Sequence, residues 1–303
     1  MVQPHTPRHR RRRQLAAGLA CLTVLAAACS DGESADAPTT TSNTRPAEPN
    51  ALPAEPQEIS FTSAEGVEMS GLYYPAAINP APVVVLFHWA YGDRSDWHVI
   101  APWLQNRGLA NPFPITSHSS LNDRSWFPIP GPQPTYGVFI ASYRGCSPHP
   151  DGCPNWTPDQ WLADSHAIIT AAASLPGVDA DRIVTMGAGI GADGATLSCA
   201  AWNETHPGAC DGVLALAPGS YLGEPFGEAV AALGAADEPV PVWCMSTFPQ
   251  QVGLCDAPGA DTNPGFRSID VMGDTEPGHL LVPAADPSPL QLLLDLLAEV
   301  APV

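Results

Sequence analysis

Apolar residues come along this chain in two rhythms: short unbroken runs of β-branched and aliphatic residues, and longer stretches in which they recur every three or four positions. Pro82-Val-Val-Val-Leu-Phe-His88 is apolar up to its histidine, the pattern of a strand covered on both faces in a parallel sheet. Apolar-rich segments at 136–141, 182–188, 212–217 and 240–245 predict further strands, and Arg267 to Met272 the last one. Between and after them, helical spacing and cap residues predict helices over 95–108, 159–174, from 190 onward, about 223–233, and 289–300. Pro102 falls inside the first of these and predicts a kink or a later start. Two further segments, 58–63 and 67–74, flank Ala64-Glu-Gly66 and read as an opening hairpin. Strands alternating with helices imply an α/β fold, a mainly parallel sheet with helices on both faces. In such sheets ligands bind beyond the carboxyl ends of the strands, on the loops that lead from strand to helix. The Pro-rich insert 111–134 leads from helix to strand, so it is expected on the far side, away from any site.

The amino terminus follows a different logic. Arg8, Arg10, Arg11, Arg12 and Arg13 precede an uncharged run from Leu15 to Ala28, too short to span a bilayer, so residues 1–28 read as a signal sequence. Leu25-Ala-Ala-Ala-Cys29 is similar to the lipobox of bacterial lipoproteins, which makes Cys29 the lipidation candidate and the membrane a partner through that anchor. Simple secretion stands as the alternative. Residues 29–57 are rich in Pro, Thr, Ser, Ala and Glu and nearly devoid of large apolar side chains, the composition of a disordered tether. Residues 58–303, about 245 positions, are the size of one large α/β domain.

Charge narrows the partners. Five of the 12 basic residues lie in the signal and all 31 acids lie beyond it, so the remaining chain carries 7 − 31 = −24. Nucleic acid and anionic headgroups are poor partners for such a surface, since both demand a basic patch. Leaving out Cys21 in the signal and Cys29, six cysteines remain in an exported chain: Cys146, Cys153, Cys199, Cys210, Cys244 and Cys255. Their local spacings favour sequential pairing, each closure stabilising the fold by roughly 2.5–3 kcal/mol on the chain-entropy model. The pairs Cys146/Cys153 and Cys244/Cys255 fall in loops that follow strands and are expected to rim a site, whereas Cys199/Cys210 should brace the opposite end. No Cys-x-x-Cys or paired-His spacing supports a metal, and none is expected.

The chemistry concentrates at Gly187-Ala-Gly-Ile-Gly191, which interrupts a strand-to-helix passage. Three readings are open. Gly-x-Ser-x-Gly is the nucleophile elbow, a sharp turn that lifts a serine to the top of a sheet, and here Gly189 stands in the serine's place. Gly189-Ile-Gly-Ala-Asp-Gly194 also satisfies a dinucleotide-binding fingerprint, yet the next strand ends in Pro218-Gly-Ser220 without the acid that reading needs. A purely structural glycine turn is the third. No cofactor is expected.

Taken together, Phe87-His88 followed by Gly92-Asp-Arg-Ser-Asp-Trp97, then Ala141-Ser-Tyr-Arg-Gly145, Val178-Asp-Ala-Asp-Arg-Ile-Val184, the glycine elbow and Gly278-His279 resemble the α/β-hydrolase superfamily, particularly its dienelactone-hydrolase-like and small-esterase branches. The resemblance covers roughly 58–303. It implies His279 as catalytic base, the backbone N–H groups of Trp89 and Ile190 as an oxyanion hole, and His88 and Ala188 beside the pocket. It also implies an ester or acyl small molecule as ligand. The chain departs from the pattern at Gly189, which has no side chain to attack a carbonyl, and at Trp89, where the family has glycine. Ser142 takes the place of an acid in the Asp-x-Arg-Gly motif. After the strand at 240–245 no carboxylate stands at the triad position, and Asp256 is the nearest candidate; Asp261 and Asp274 lie farther on. Two functions are therefore carried forward: a degenerate hydrolase acting as a binding or interaction module, or a working hydrolase that uses water activated by His279 or a hydroxyl from Ser220 or Ser246.

Overall fold

The structure, a computed structural model, describes residues 55–106, 111–114, 135–146, 153, 157–248, 254–272 and 289–303. Its centre is one sheet of eight strands: β1 (Gln57–Thr62), β2 (Glu68–Tyr74), β3 (Ala81–Phe87), β4 (Gly137–Ala141), β5 (Val178–Ala188), β6 (Cys210–Leu216), β7 (Val242–Phe248) and β8 (Phe266–Met272). Their order is β1-β2-β4-β3-β5-β6-β7-β8, with β2 antiparallel to both its neighbours and every later pair parallel. Among the described residues five helices cover it: α1 (Ile100–Gln105), α2 (Pro158–Ala173), α3 (Ile190–Thr205), α4 (Phe226–Gly234) and α5 (Pro289–Val300).

The two faces follow from alternation along the strands. In β3, Val83, Val85 and Phe87 pack beneath α2, α3 and α4, while Val84 and Leu86 pack beneath α1 and α5. From β3 the chain steps outward to β4, then reverses direction to add β5, β6, β7 and β8. Crossovers between parallel strands are right-handed, so reversing direction moves the connecting helix to the other face, which is why α1 lies opposite α2, α3 and α4.

The first predicted helix is shorter than the sequence suggested. Asp93 caps a short 3₁₀ turn over Arg94–Trp97, accepting the Ser95 N–H at 2.7 Å, and α1 then begins at Ile100. Pro102 becomes the third residue of α1, where an N–H has no intrahelical partner to lose, so it sets the start and introduces no kink. The helix ends at Asn106 in a left-handed conformation (φ 48°), two residues before the expected Gly108. The insert beyond Asn111 lies outside the described residues except at 111–114, where the Asn111 side chain donates to His98 O at 2.9 Å.

All three sequential cysteine pairs are at disulfide distance. Cys199 in α3 is tied to Cys210 at the start of β6, the amino end of the sheet. Cys244 and Cys255 tie β7 to the segment after it, and Leu254 donates from its N–H to Pro218 O in the loop after β6. Among the described residues no helix is long and apolar enough to cross a membrane.

Candidate functional site

The parallel strands, taken in chain order, lie as second-first-third-fourth-fifth-sixth, so the order reverses between β3 and β5. Loops leaving two such strands diverge to opposite faces and open a crevice at their carboxyl ends. The two loops concerned are the one through Trp89 and the glycine turn.

At that turn β5 ends with Ala188, Gly189 takes φ 57° and ψ −120°, and α3 starts at once with Ile190. Gly189 N–H donates to Leu216 O on the neighbouring strand at 2.8 Å, and its carbonyl accepts from Ala192 N at 2.9 Å. The outer glycines are needed for room. A Cβ on Gly187 would lie 2.0 Å from Gly191 O, and one on Gly191 would lie 2.3 Å from Phe87 O and 2.5 Å from His88 O. Thus the first turn of α3 is pressed against the backbone of β5 and the end of β3, which is the geometry of a nucleophile elbow. The dinucleotide reading fares differently, because its fingerprint belongs after the first parallel strand, here β3, whereas these glycines follow the third.

Register places the remaining residues. Phe87 lies level with Ala141 and with Gly187, so Ser142, His88 and Ala188 form a row one residue farther on. Ile190 is the first residue of α3, and its N–H has no intrahelical acceptor. Trp89 follows His88, and its carbonyl accepts from Gly92 N at 3.1 Å. The indole of Trp89 packs edge-on to Tyr91 at 5.3 Å, with its Nε1 buried and unpartnered among the described residues.

His88 is fully buried, with both ring nitrogens engaged. Nδ1–H donates to Trp89 O at 2.8 Å, and Nε2 accepts the Tyr143 N–H at 3.1 Å. Burial pulls its pKa down to about 4, so the ring is neutral and joins the loop after β3 to the loop after β4. Its ligating nitrogen and the sulfurs of Cys146 and Cys153 lie within 4.8 Å of one another, but those sulfurs are bonded to each other and offer no thiolate. In the motif after β4, Ser142 Oγ accepts the Arg94 N–H at 3.1 Å, and Arg144 forms a two-pronged ion pair with the fully buried Asp164.

The base and acid candidates are placed less completely. His279 and Asp274 lie in 273–288, and Cys29 in 1–54, all outside the described residues. Asp256 is exposed in the segment between β7 and β8, as is Asp261. Ser220 Oγ accepts the N–H of Phe226, the first residue of α4, at 3.0 Å. Ser246, near the carboxyl end of β7, donates to Asp270 of β8 at 3.1 Å, a partnership absent from the sequence reading. With strands about 4.8 Å apart, Ser246 stands two strands from the elbow, about 10 Å away.

A second acid escaped the sequence reading. Asp193, in the first turn of α3, is fully buried and accepts the backbone N–H groups of Gly219, Ser220 and Tyr221. It fixes the loop after β6, where Ala217 (φ 51°) and Ser220 (φ 56°) are held in left-handed conformations. The available signal was an ionisable residue inside Ile190-Gly-Ala-Asp-Gly-Ala195, a stretch otherwise small and apolar. Burial raises its pKa to about 6 against the pull of the three N–H donors. The folded chain therefore holds this proton more tightly than the unfolded chain. Its contribution to stability is fully present below about pH 4 and is lost as pH rises through about 6, a change of about 3 kcal/mol. Denaturant unfolding of wild type and Asp193→Asn across this range should show the wild type losing that much more stability than the variant. Parallel pH profiles would refute the assignment.

Similarity to solved structures agrees with this geometry. The chain superposes on the Pyrococcus furiosus esterase Pf2001 with a TM-score of 0.54 at 12% identity, covering 82% of this chain and 91% of that one. The fold is the α/β-hydrolase fold. The α/β-hydrolase GrgF from Penicillium sp. sh18 matches with a TM-score of 0.53 at 14% identity, over 83% of this chain and all of that one. A hyperthermophilic esterase from Pyrobaculum calidifontis matches at 0.52 and 12% identity, over 82% and 84%. No protein-family model matches the chain, nor does any curated protein sequence.

Proposed function

We propose that this α/β-hydrolase-fold chain is an exported, lipid-anchored relative of carboxylic ester hydrolases whose elbow has lost its nucleophile. Its carboxyl-end crevice then serves as a binding or interaction module for a small ester or acyl compound. One observation carries the reading: Gly189 occupies the tip of a closed elbow, with no side chain where a hydrolase of this fold needs a hydroxyl. The rim also supports it. Among the described residues, three of the five large exposed apolar side chains, Tyr91, Tyr221 and Leu254, lie in segments that follow β3, β6 and β7 at this end of the sheet. The purified domain should neither react with a fluorophosphonate probe nor hydrolyse short p-nitrophenyl esters above background. Robust wild-type labelling would end the degenerate reading.

A working hydrolase is the second reading, and the Ser246–Asp270 hydrogen bond is the observation that favours it. On that reading Ser246→Ala abolishes labelling and hydrolysis.

The anchor has its own test. Cys29→Ser should move the protein from the membrane fraction to the soluble exported fraction, and unchanged membrane association would remove Cys29 from the proposal. The arginine-rich start, the short uncharged run and the cysteine ahead of a polar tether motivate it.

A further inference from the structure

Far from the elbow, β1 forms one edge of the sheet. Among the described residues it pairs with β2 alone, so the backbone N–H and C=O groups along its other side have no sheet partner there. Helix α2, which covers β3 and β5 on one face of the sheet, also reaches β1 on that face. Between them runs a groove of about 540 Å³, lined by Ile59 and Phe61 of β1 and by Ala163, Ala167 and Ala171 of α2. The strand sorts its side chains by face: Gln57, Ile59 and Phe61 are half-buried on the helix side, whereas Glu58, Ser60 and Thr62 are exposed on the other. Glu58 binds Arg94 at 3.1 Å yet stays 58% exposed, leaving its carboxylate open to a second cation. Exposed Glu68, at the start of β2, adds to the acidic character of that face.

We propose that this groove binds an extended peptide, which adds to β1 as a ninth strand with apolar residues facing α2 and basic residues facing outward. The free edge supplies main-chain hydrogen bonds, and alternate side chains of an added strand fall on alternate faces. Those on the helix side meet Ile59, Phe61 and the alanines, with His166, Thr170 and Ser174 of α2 along the same groove, so short apolar groups suit the strand side of it. Those on the outer side lie across from Glu58, where a lysine or arginine forms a favourable cross-strand pair. The acidic balance of the whole chain beyond its signal steers such a cationic segment toward it. The proposal does not depend on how the elbow is read.

The probe is a blocked, fluorescently tagged hexapeptide alternating valine and lysine, titrated by anisotropy against the exported chain. It should bind, more weakly as salt rises, and a valine/glutamate analogue should bind at least tenfold more weakly. Methylating the backbone nitrogens of either the valines or the lysines should abolish binding for one of the two peptides, since one set of N–H groups faces β1. Ala167→Trp, which fills the groove from a half-exposed helix position, should weaken binding at least tenfold, and bound peptide should slow amide exchange across 57–62. Equal affinity for both methylated peptides, or for wild type and Ala167→Trp with unchanged exchange in β1, would overturn the proposal. Self-association of the peptide-free chain that Ala167→Trp abolishes would overturn it too, because the occupant would then be a second copy.

Discussion

Gly191→Ala should destabilise the domain by upwards of about 3 kcal/mol, the top of the range for inserting a methyl group into a packed site. The reason is what the new carbon meets. Its position is 2.3 Å from Phe87 O and 2.5 Å from His88 O, backbone atoms at the end of a strand buried in the middle of the sheet, and neither can swing aside as a side chain could. Gly187→Ala should behave alike, since its methyl would lie 2.0 Å from Gly191 O. Gly208 provides the control. It has φ 78° with nothing within 4 Å, so Gly208→Ala carries only the left-handed penalty of about 1–2 kcal/mol. Thermal unfolding should therefore fall by about 6–12 °C for Gly191→Ala, and by clearly less for Gly208→Ala. A Gly191→Ala protein as stable as Gly208→Ala would mean that α3 does not press against β3 and that the turn is not a closed elbow.

Those glycines show what the sequence could and could not disclose. Strand and helix positions were legible because burial imposes a period: the unbroken run at 82–87 reads as a strand covered on both sides, and β6, β7 and the carboxyl half of β5 repeat the pattern, whereas β8 at the sheet edge carries exposed Arg267, Ser268 and Asp270. The sharp strand-to-helix turn was legible because three glycines at alternate positions mark a close approach of backbones, although the sequence left its use open. The cysteine pairs were legible because each is local. What stayed hidden depends on register between distant segments. Asp193 reads as one more acid in an acidic chain until the fold brings residues 219–221 onto its carboxylate. Asp270 becomes Ser246's partner only because β8 pairs with β7 in the register that sets the two side by side. The same holds for His88, which the sequence placed beside the pocket. Its two hydrogen bonds, to Trp89 O and from Tyr143 N, identify it as the link between two loops.

Gly189→Ser tests the functional reading where it is most exposed. At φ 57° and ψ −120° a non-glycine residue is strained, so the variant should lose about 1–3 kcal/mol of stability while remaining folded by near-ultraviolet circular dichroism. In return it gains a hydroxyl at the tip of the turn, next to the Ile190 N–H at the amino end of α3, whose dipole favours a developing oxyanion. If His279 reaches that hydroxyl, the variant should acquire weak fluorophosphonate labelling that the wild type lacks, and adding His279→Ala should remove it. Full turnover is not expected. Asp256 is exposed, and without an acid to orient the imidazole, turnover falls by about 10⁴-fold in enzymes that depend on one. Labelling that survives His279→Ala would assign the activation of the introduced hydroxyl to another base. A folded Gly189→Ser protein inert to the probe would leave the turn with the shape of an elbow and no catalytic surroundings, so the pocket would have changed beyond the loss of one serine.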